Sequence, residues 1–445
     1  MMAYWISMCG CAQIGSPIGG PRDSIPPVLV SATPPNFSKN FDQKRISLTF
    51  DEYIQLQNPQ TILVSPIPRK NPFIDFKLKT VTVKLYDTLK PSTTYTIQFG
   101  NSITDLNENN PYKNFTYVYS TGDYIDSLTL RGNVLLAETG TYDSTLTAML
   151  YRDLSDSAVY KHRPEYIARV DKDGNFSFSH LPSGNYNLFA MKDESGQYMY
   201  NNPLQIFAFN KDVIVLPDAE NDKQQLLAYS EEKETPKKEM VKAEADLKFT
   251  TSIKTGVQDL LSPVSISFNH PLEKVDSSKI FITDTLGNKL SNVSTQLDST
   301  AQIITLVHNW KAGEPLRLFV LENAAADSAG KTLLKNDTIP FKIKNESDYG
   351  SLKLTFKNLD KYTHPVLQLL TEGNAFESFP LTSDVFAKKF IQPGTYTIRI
   401  LEDTNENGKW DPGNYEVRKQ PEVVHKIAQT ITVRPNWDNE RDIVL

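Results

Sequence analysis

The amino-acid sequence predicts an all-β fold, built from tandem β-sandwiches in a linear multidomain chain. Short segments alternate apolar and polar residues with a period of two, as half-buried strands do, and residues 46–50 and 80–85 are clear examples. Tyrosine (20), phenylalanine (22) and proline (27) are abundant, which suits short strands separated by many turns. At about 100–150 residues per domain, the 445 residues predict three or four domains rather than one.

The composition argues against several classes of protein. The 47 basic and 53 acidic residues give a net charge of −6 without a long basic run, so no nucleic-acid partner is expected. Both cysteines, Cys9 and Cys11, precede residue 12, so the rest of the chain has no thiol for catalysis, for a disulfide or for a metal. The six histidines are scattered, and no stretch of about 18 apolar residues predicts a membrane-spanning helix.

The amino-terminal segment MCGC has the form of a bacterial lipobox, in which a small residue precedes a cysteine that is acylated after the signal peptide is removed. We therefore expect Cys11 to carry palmitate-type chains, which hold a protein at a bilayer because each buried CH₂ contributes about 0.8 kcal/mol. The signal is short and its first basic residue is Arg22, which an upstream translation start would explain. The alternative is a chance cysteine pair in a tail. In the lipobox interpretation, residues 1–26 are a signal remnant and a Gly/Ser/Pro tether.

Residues 27–122 contain about seven short strand-like segments, which predicts one sandwich. Their ordered features PPVLVSATPPN, ISLTFDEYI and LKPSTTYTIQFGNSITDLNENN resemble the bacterial Ig-like domain of the S-layer-protein type, which is common in lipoproteins of Bacteroidota. The resemblance implies a lipid-anchored protein of the outer membrane, with the cell-surface leaflet favoured over the periplasmic one. Outer-membrane proteins are then the expected partners.

Residues 123–217 predict a second sandwich. Its segment DKDGNFSFSHLPSGNYNLFAMKD resembles transthyretin-like modules of the carboxypeptidase-regulatory type. The resemblance implies that the aromatic residue after the glycine, Tyr186, enters the core.

The strand pattern stops at residues 218–246, which are rich in charge, and then repeats. We interpret the charged stretch as a solvated linker, with a docking segment as the alternative. Residues 247–345 predict a degenerate second Ig-like domain. Residues 346–445 predict a second transthyretin-like sandwich, because IQPGTYTI repeats the pattern of LPSGNYNL.

The loop after residue 402 carries oxygen-bearing side chains at positions 1, 3, 5 and 9 of an EF-hand-type pattern: Asp403, Asn405, Asn407 and Asp411. Gly408 at position 6 would supply the sharp turn, so these residues are candidate ligands of a structural Ca²⁺. Position 12 is Asn414 instead of a bidentate glutamate, which weakens the candidate. The same residues also make a good hairpin turn without metal, and this interpretation is favoured.

No pattern in the sequence indicates catalysis: a nucleophile elbow, a phosphate loop and a dinucleotide fingerprint are all missing. We expect no enzyme and no cofactor other than that Ca²⁺. The expected function is that of a non-catalytic envelope lipoprotein acting through protein–protein contacts, as an accessory subunit of an outer-membrane barrel complex for assembly or export. The alternative is a glycan- or host-binding surface adhesin, which needs exposed aromatic platforms. A hydrolase-associated binding protein is a third hypothesis.

Overall fold

The computed structural model describes residues 23–218, 224–232, 246–371 and 374–445, and it confirms the all-β fold class. The chain forms two compact units. Unit 1 comprises Met1–Ala137, Thr141–Glu232 and Pro412–Pro421, and unit 2 comprises Glu138–Gly140, Lys233–Asp411 and Glu422–Leu445. Each unit contains two β-sandwiches, and each sandwich has its own hydrophobic core.

Sandwich 1, in unit 1, contains nine strands and a short 3₁₀ helix at Pro59–Thr61. The strands are Leu29–Thr33 (β1), Arg45–Phe50 (β2), Ile54–Leu56 (β3), Leu63–Ser65 (β4), Phe73–Lys77 (β5), Thr80–Lys84 (β6), Thr94–Gly100 (β7), Ile103–Asp105 (β8) and Phe115–Ser120 (β9). Its sheets follow the orders β1-β2-β6-β5 and β4-β7-β9, and β3 pairs with β8. The alternation in β2 buries Ile46, Leu48 and Phe50 in the core, as the sequence predicts.

Sandwich 2, also in unit 1, contains eight strands and a short helix, Ala158–Lys161 (α1). The strands are Leu128–Leu136 (β10), Leu146–Tyr151 (β11), Tyr166–Arg169 (β12), Asn175–Leu181 (β13), Gly184–Lys192 (β14), Phe207–Phe209 (β15), Ile214–Leu216 (β16) and Gln224–Ala228 (β17). The sheets follow the orders β13-β10-β17 and β12-β11-β14-β15, and β16 also pairs with β14. Tyr186 is fully buried, as expected, and its hydroxyl donates to the carbonyl of Pro182 at 2.8 Å.

The strand β17 corrects the interpretation of residues 218–246 as a linker without strands. It pairs in parallel with β10 and completes the three-stranded sheet of sandwich 2. Leu226 and Ala228 are buried in the core of this sandwich, so its last strand extends beyond the predicted boundary at residue 217. The five residues of β17, QQLLA, do not alternate between apolar and polar types and lie in a highly charged segment, so the sequence pattern does not indicate a strand there. Residues 219–223 and 233–245 lie outside the described residues.

Sandwich 3, in unit 2, contains ten strands and a 3₁₀ helix at Ser277–Lys279. The strands are Phe249–Thr251 (β18), Val257–Gln258 (β19), Val264–Phe268 (β20), Leu272–Val275 (β21), Ile280–Thr283 (β22), Ser294–Leu297 (β23), Ile303–Val307 (β24), Pro315–Val320 (β25), Ala325–Asp327 (β26) and Asp337–Ile343 (β27). The sheet β18-β20-β24-β23 and the pair β21-β26 repeat the order of sandwich 1, and β19 is added to the sheet β19-β27-β25-β22. Residues 247–345, whose sequence pattern is the weaker of the two, therefore still specify the strand order of sandwich 1.

Sandwich 4, in unit 2, contains seven strands and 3₁₀ helices at Glu346–Asp348 and Leu359–Lys361. The strands are Gly350–Lys357 (β28), Pro365–Thr371 (β29), Asn374–Pro380 (β30), Val385–Ile391 (β31), Gly394–Glu402 (β32), Val423–Val433 (β33) and Asp438–Val444 (β34). The orders β31-β28-β34 and β30-β29-β32-β33 repeat those of sandwich 2, and β34 takes the place of β17. Tyr396 repeats the contact of Tyr186, with its hydroxyl 2.7 Å from the carbonyl oxygen of Gln392.

One part of the connection between β32 and β33, Pro412–Pro421, belongs to unit 1. Within unit 1, Tyr415 is 2% exposed, and its ring lies 5.3 Å from that of Phe207 and 5.1 Å from that of Phe209. Its hydroxyl donates to the carbonyl of Asp156 at 3.2 Å. The division of the sequence into consecutive domains does not anticipate this packing, because a connecting loop carries no periodic pattern.

Candidate functional site

The predicted lipid anchor, Cys11, lies outside the described residues, which begin at Asp23. Within the described part of the chain, no helix combines the length and the apolar character needed to cross a membrane. Acylation at Cys11 therefore stays a prediction.

The predicted Ca²⁺ loop follows β32, and Asp403 organises it. This side chain is 1% exposed, and its carboxylate accepts the backbone N–H of Asn407 at 3.1 Å and of Gly408 at 2.6 Å. Gly408 has φ +75°, a backbone conformation that residues with a Cβ rarely adopt. These contacts describe a tight turn closed by an aspartate, which is one of the two interpretations that the sequence allows.

The other three predicted ligands also meet in this loop. Asn405 and Asn407 both donate their side-chain amides to the carboxylate of Asp411, the second at 2.9 Å. Sequence reasoning missed Glu422, which is almost fully buried and accepts the backbone N–H of Thr404 at 2.8 Å and of Asp411 at 3.0 Å. Among the described residues, no three His, Cys, Asp or Glu side chains are grouped as metal ligands. A Ca²⁺ here would thus depend on two carboxylates and two amides, and it stays a prediction.

A second candidate surface, which we call the apolar end, lies at one end of sandwich 1. Its large hydrophobic side chains are each between 51% and 66% exposed: Ile25, Val28, Tyr53, Leu78 and Leu106. Backbone hydrogen bonds connect the segments that carry Val28, Tyr53, Leu78 and Leu106. Leu106 donates to the carbonyl of Tyr53 at 3.0 Å, Ile54 donates to that of Leu78 at 3.0 Å, and Asp51 donates to that of Val28 at 3.1 Å. Exposed clusters of this kind mark interaction sites more often than scattered single residues do.

Acidic side chains surround the apolar end. Burial raises the pKa of Glu52, and the nearby carboxylates of Asp105, Asp51, Asp23 and Glu108 raise it further. Asp105 behaves differently: burial alone would raise its pKa, but backbone N–H groups of residues 108–110 donate to its carboxylate and lower the pKa below the usual value. The apolar end is therefore bordered by negative charge, and a complementary surface would be apolar with a basic rim.

Sequence reasoning missed the apolar end because Tyr53 and Leu78 cannot be distinguished from core residues until the strands are placed. One signal was available at the hairpin between β5 and β6. There the sequence places Leu78 between two lysines, Lys77 and Lys79. The structure adds that Leu78 has φ +55°, which is uncommon for a residue other than glycine.

Comparison with known proteins agrees with the fold of sandwich 1. A family model described as a bacterial Ig-like domain matches residues 23–121, so this part of the chain is a bacterial Ig-like domain. No curated protein matches the chain.

Several solved structures of multidomain proteins are similar to the chain at low identity. The TIE protein of Bacillus anthracis is 10% identical over 96% of this chain and 76% of that one, with a TM-score of 0.18. BcpA, the major pilin subunit of Bacillus cereus, is 10% identical over 72% of this chain and 99% of that one, with a TM-score of 0.16. An S-layer protein, SbsC, is 14% identical over 86% of this chain and 53% of that one, with a TM-score of 0.16. Such low TM-scores carry no argument about function.

Proposed function

We propose that this chain is a non-catalytic lipoprotein, anchored through Cys11 in the bacterial outer membrane, that acts as an accessory subunit of a membrane-embedded barrel complex. The observation that carries the proposal is the apolar end of sandwich 1. Of the 28 large hydrophobic residues that are exposed in the described parts of the chain, 11 lie between residues 25 and 124. This concentration makes sandwich 1 the best candidate for a protein interface.

The position of the apolar end relative to the anchor supports a partner at the membrane. Asn110 donates its side-chain amide to the carbonyl of Asp23, so the described chain begins beside the apolar end. The twelve residues from Cys11 to Asp23 span at most about 40 Å when fully extended. An anchored chain would hold the apolar end within that distance of the bilayer, on the cell-surface leaflet in our proposal. The surrounding acids favour a protein with a basic rim over an anionic lipid surface.

Site-specific photo-crosslinking in native membranes tests the interface. A photoreactive residue at position 78 should crosslink to an outer-membrane barrel protein. The same residue at position 286 should not, although Leu286 in sandwich 3 is 86% exposed. The substitutions Tyr53→Ser and Leu78→Ser together should abolish co-purification of that barrel protein in mild detergent, and Leu286→Ser is the matched control. Equal crosslinking from positions 78 and 286 would contradict the proposed interface.

Metabolic labelling tests the anchor separately. Wild-type protein should incorporate labelled palmitate and partition into detergent, and Cys11→Ala should lose both properties. A Cys11→Ala protein that remains acylated and membrane-bound would show that the anchor is elsewhere, whatever the crosslinking result.

A further inference from the structure

Sandwich 2 contains an open cleft of about 840 Å³ with a polar wall. Its principal side chains come from β10, β12, β13 and one loop: Arg131, Asn133, Tyr142, Arg169, Asn175 and Ser177. Hydroxyls, amides, guanidinium groups and one exposed aromatic ring therefore face the same space. Such a combination suits a hydroxyl-rich ligand, since planar polar groups can each contact two neighbouring oxygens.

Both arginines have donors available for a ligand. The Nε of Arg169 donates to the carbonyl of Thr61 at 3.2 Å, which holds the side chain in place, and its terminal N–H groups have no partner among the described residues. The backbone of Arg131 pairs with Ser177 of β13, whereas its guanidinium has no hydrogen-bond or ion-pair partner among the described residues. The carboxylate in the cleft wall, Asp171, is already occupied by the backbone N–H groups of Asp173 at 2.9 Å and Asn175 at 2.8 Å. The cleft thus favours an anionic group that accepts a planar pair of hydrogen bonds, such as a carboxylate.

Tyr142 provides a fixed aromatic surface beside the arginines. The side chain is 49% exposed, and one part of its ring packs against Gly174, where an added Cβ would lie 2.3 Å from the ring. Gly174 has φ +82°, so the turn requires glycine there and the ring has room to pack against it. The exposed ring can then receive the apolar face of a sugar, which is the aromatic platform expected of a glycan-binding protein.

Sandwich 4 shows that the fold alone does not create this cleft. The equivalent of Arg131 in β28 is Lys353, which lies 3.4 Å from the carboxylate of Glu440 and is neutralised by it. The equivalent of Gly132 is Leu354, which is fully buried. Sandwiches 2 and 4 have the same strand order. Only sandwich 2 has an unpaired positive charge at this position of the strand, since Arg131 has no carboxylate partner among the described residues and Lys353 has one.

We propose that this cleft binds an acidic saccharide, with Arg131 and Arg169 holding a sugar carboxylate and Tyr142 stacking on the neighbouring ring. This binding activity goes beyond the accessory role proposed above and depends on different residues. It would give the protein a glycan ligand while the apolar end remains available to a protein partner.

Isothermal titration calorimetry on the full chain tests the proposal. The probes are a glucuronate-containing tetrasaccharide, the same tetrasaccharide with its carboxyl groups reduced to alcohols, and a peptide with a free C-terminal carboxylate. The acidic tetrasaccharide should bind at least about tenfold more tightly than its reduced form, because the reduced form loses the charge-assisted hydrogen bonds. Arg131→Gln should weaken its binding by a similar factor, and Tyr142→Ala should weaken binding of both saccharides.

Lys353→Gln in sandwich 4 is the matched control and should leave binding unchanged. Far-ultraviolet circular dichroism confirms that each variant is folded, and Arg131→Lys, which keeps the charge without the planar fork, should give intermediate affinity. The proposal is overturned by an undetectable affinity for the acidic tetrasaccharide at about 10 mM or by equal affinity for its reduced form. It is also overturned by unchanged affinity in Arg131→Gln or by tighter binding of the peptide.

Discussion

Truncating Leu226 in β17 tests whether this strand is part of sandwich 2. The side chain is fully buried in the core between the two sheets, so Leu226→Ala removes apolar contacts and leaves a cavity. Substitutions of this kind cost about 2–5 kcal/mol. Unit 1 has roughly 240 residues, for which each kcal/mol lowers the melting temperature by about 2–4 °C. A loss of about 3 kcal/mol should therefore lower the Tm of unit 1 by about 6–12 °C.

The neighbouring Leu227 supplies the control, since it has the same side chain on the opposite face of the strand and is only half-buried. Leu227→Ala should cost less than about 1 kcal/mol. Differential scanning calorimetry of the full-length wild type and the two variants measures both values. If the Leu226→Ala protein melts within about 1 °C of the wild type, β17 contributes nothing to the core, and residues 224–228 belong to the linker as the sequence predicted.

Gly132, Glu52 and Asp403 each give a separate prediction. Gly132→Ala should destabilise unit 1 by about 1–3 kcal/mol in urea unfolding, because the added Cβ would lie 2.4 Å from the carbonyl oxygen of Gln224 and from the ring of Phe176. Glu52→Gln should raise the melting temperature at pH 7 and have no effect at pH 3.5. Because the pKa of Glu52 is higher in the folded than in the unfolded protein, the folded state loses stability as the pH rises above the unfolded pKa of 4.5. Glutamine does not ionise, so the variant avoids this loss. If the loop at Asp403 binds Ca²⁺ with a Kd of about 0.1–1 mM, ~10 mM Ca²⁺ should stabilise unit 2 by about 1–3 kcal/mol over EGTA, and Asp403→Ala should remove the difference. An unchanged calorimetric scan would leave the loop as a turn only.

Local patterns made part of this fold predictable. The alternation in β2 correctly identifies Ile46 and Leu48 as core residues, because side-chain direction in a strand has a strict period of two. Tyr186 and Tyr396 enter equivalent cores after equivalent glycines, as expected from the repeated motif. These features depend on residues that are close together in the sequence.

Features that depend on distant partners were not predictable in the same way. β17 became identifiable only through its pairing with β10, almost a hundred residues earlier in the chain. Glu422 lies just before the following strand, β33, and accepts backbone N–H groups of Thr404 and Asp411 only because the chain folds back on itself after the turn. The exposure of Tyr53 and Leu78 depends on which side of the finished sandwich each residue occupies. Composition and periodicity carry no information about these arrangements.

The inclusion of Pro412–Pro421 in unit 1 has a consequence for how the protein is made. Phe207 and Phe209 are synthesised about 200 residues before Tyr415, so at about 5–20 residues per second roughly 10–40 s pass before Tyr415 covers them. During that interval two aromatic side chains that end fully buried lack one of their packing partners. A fragment that stops at residue 232 would keep this defect permanently. Folding of unit 1 is therefore complete only after Pro412–Pro421 have been synthesised.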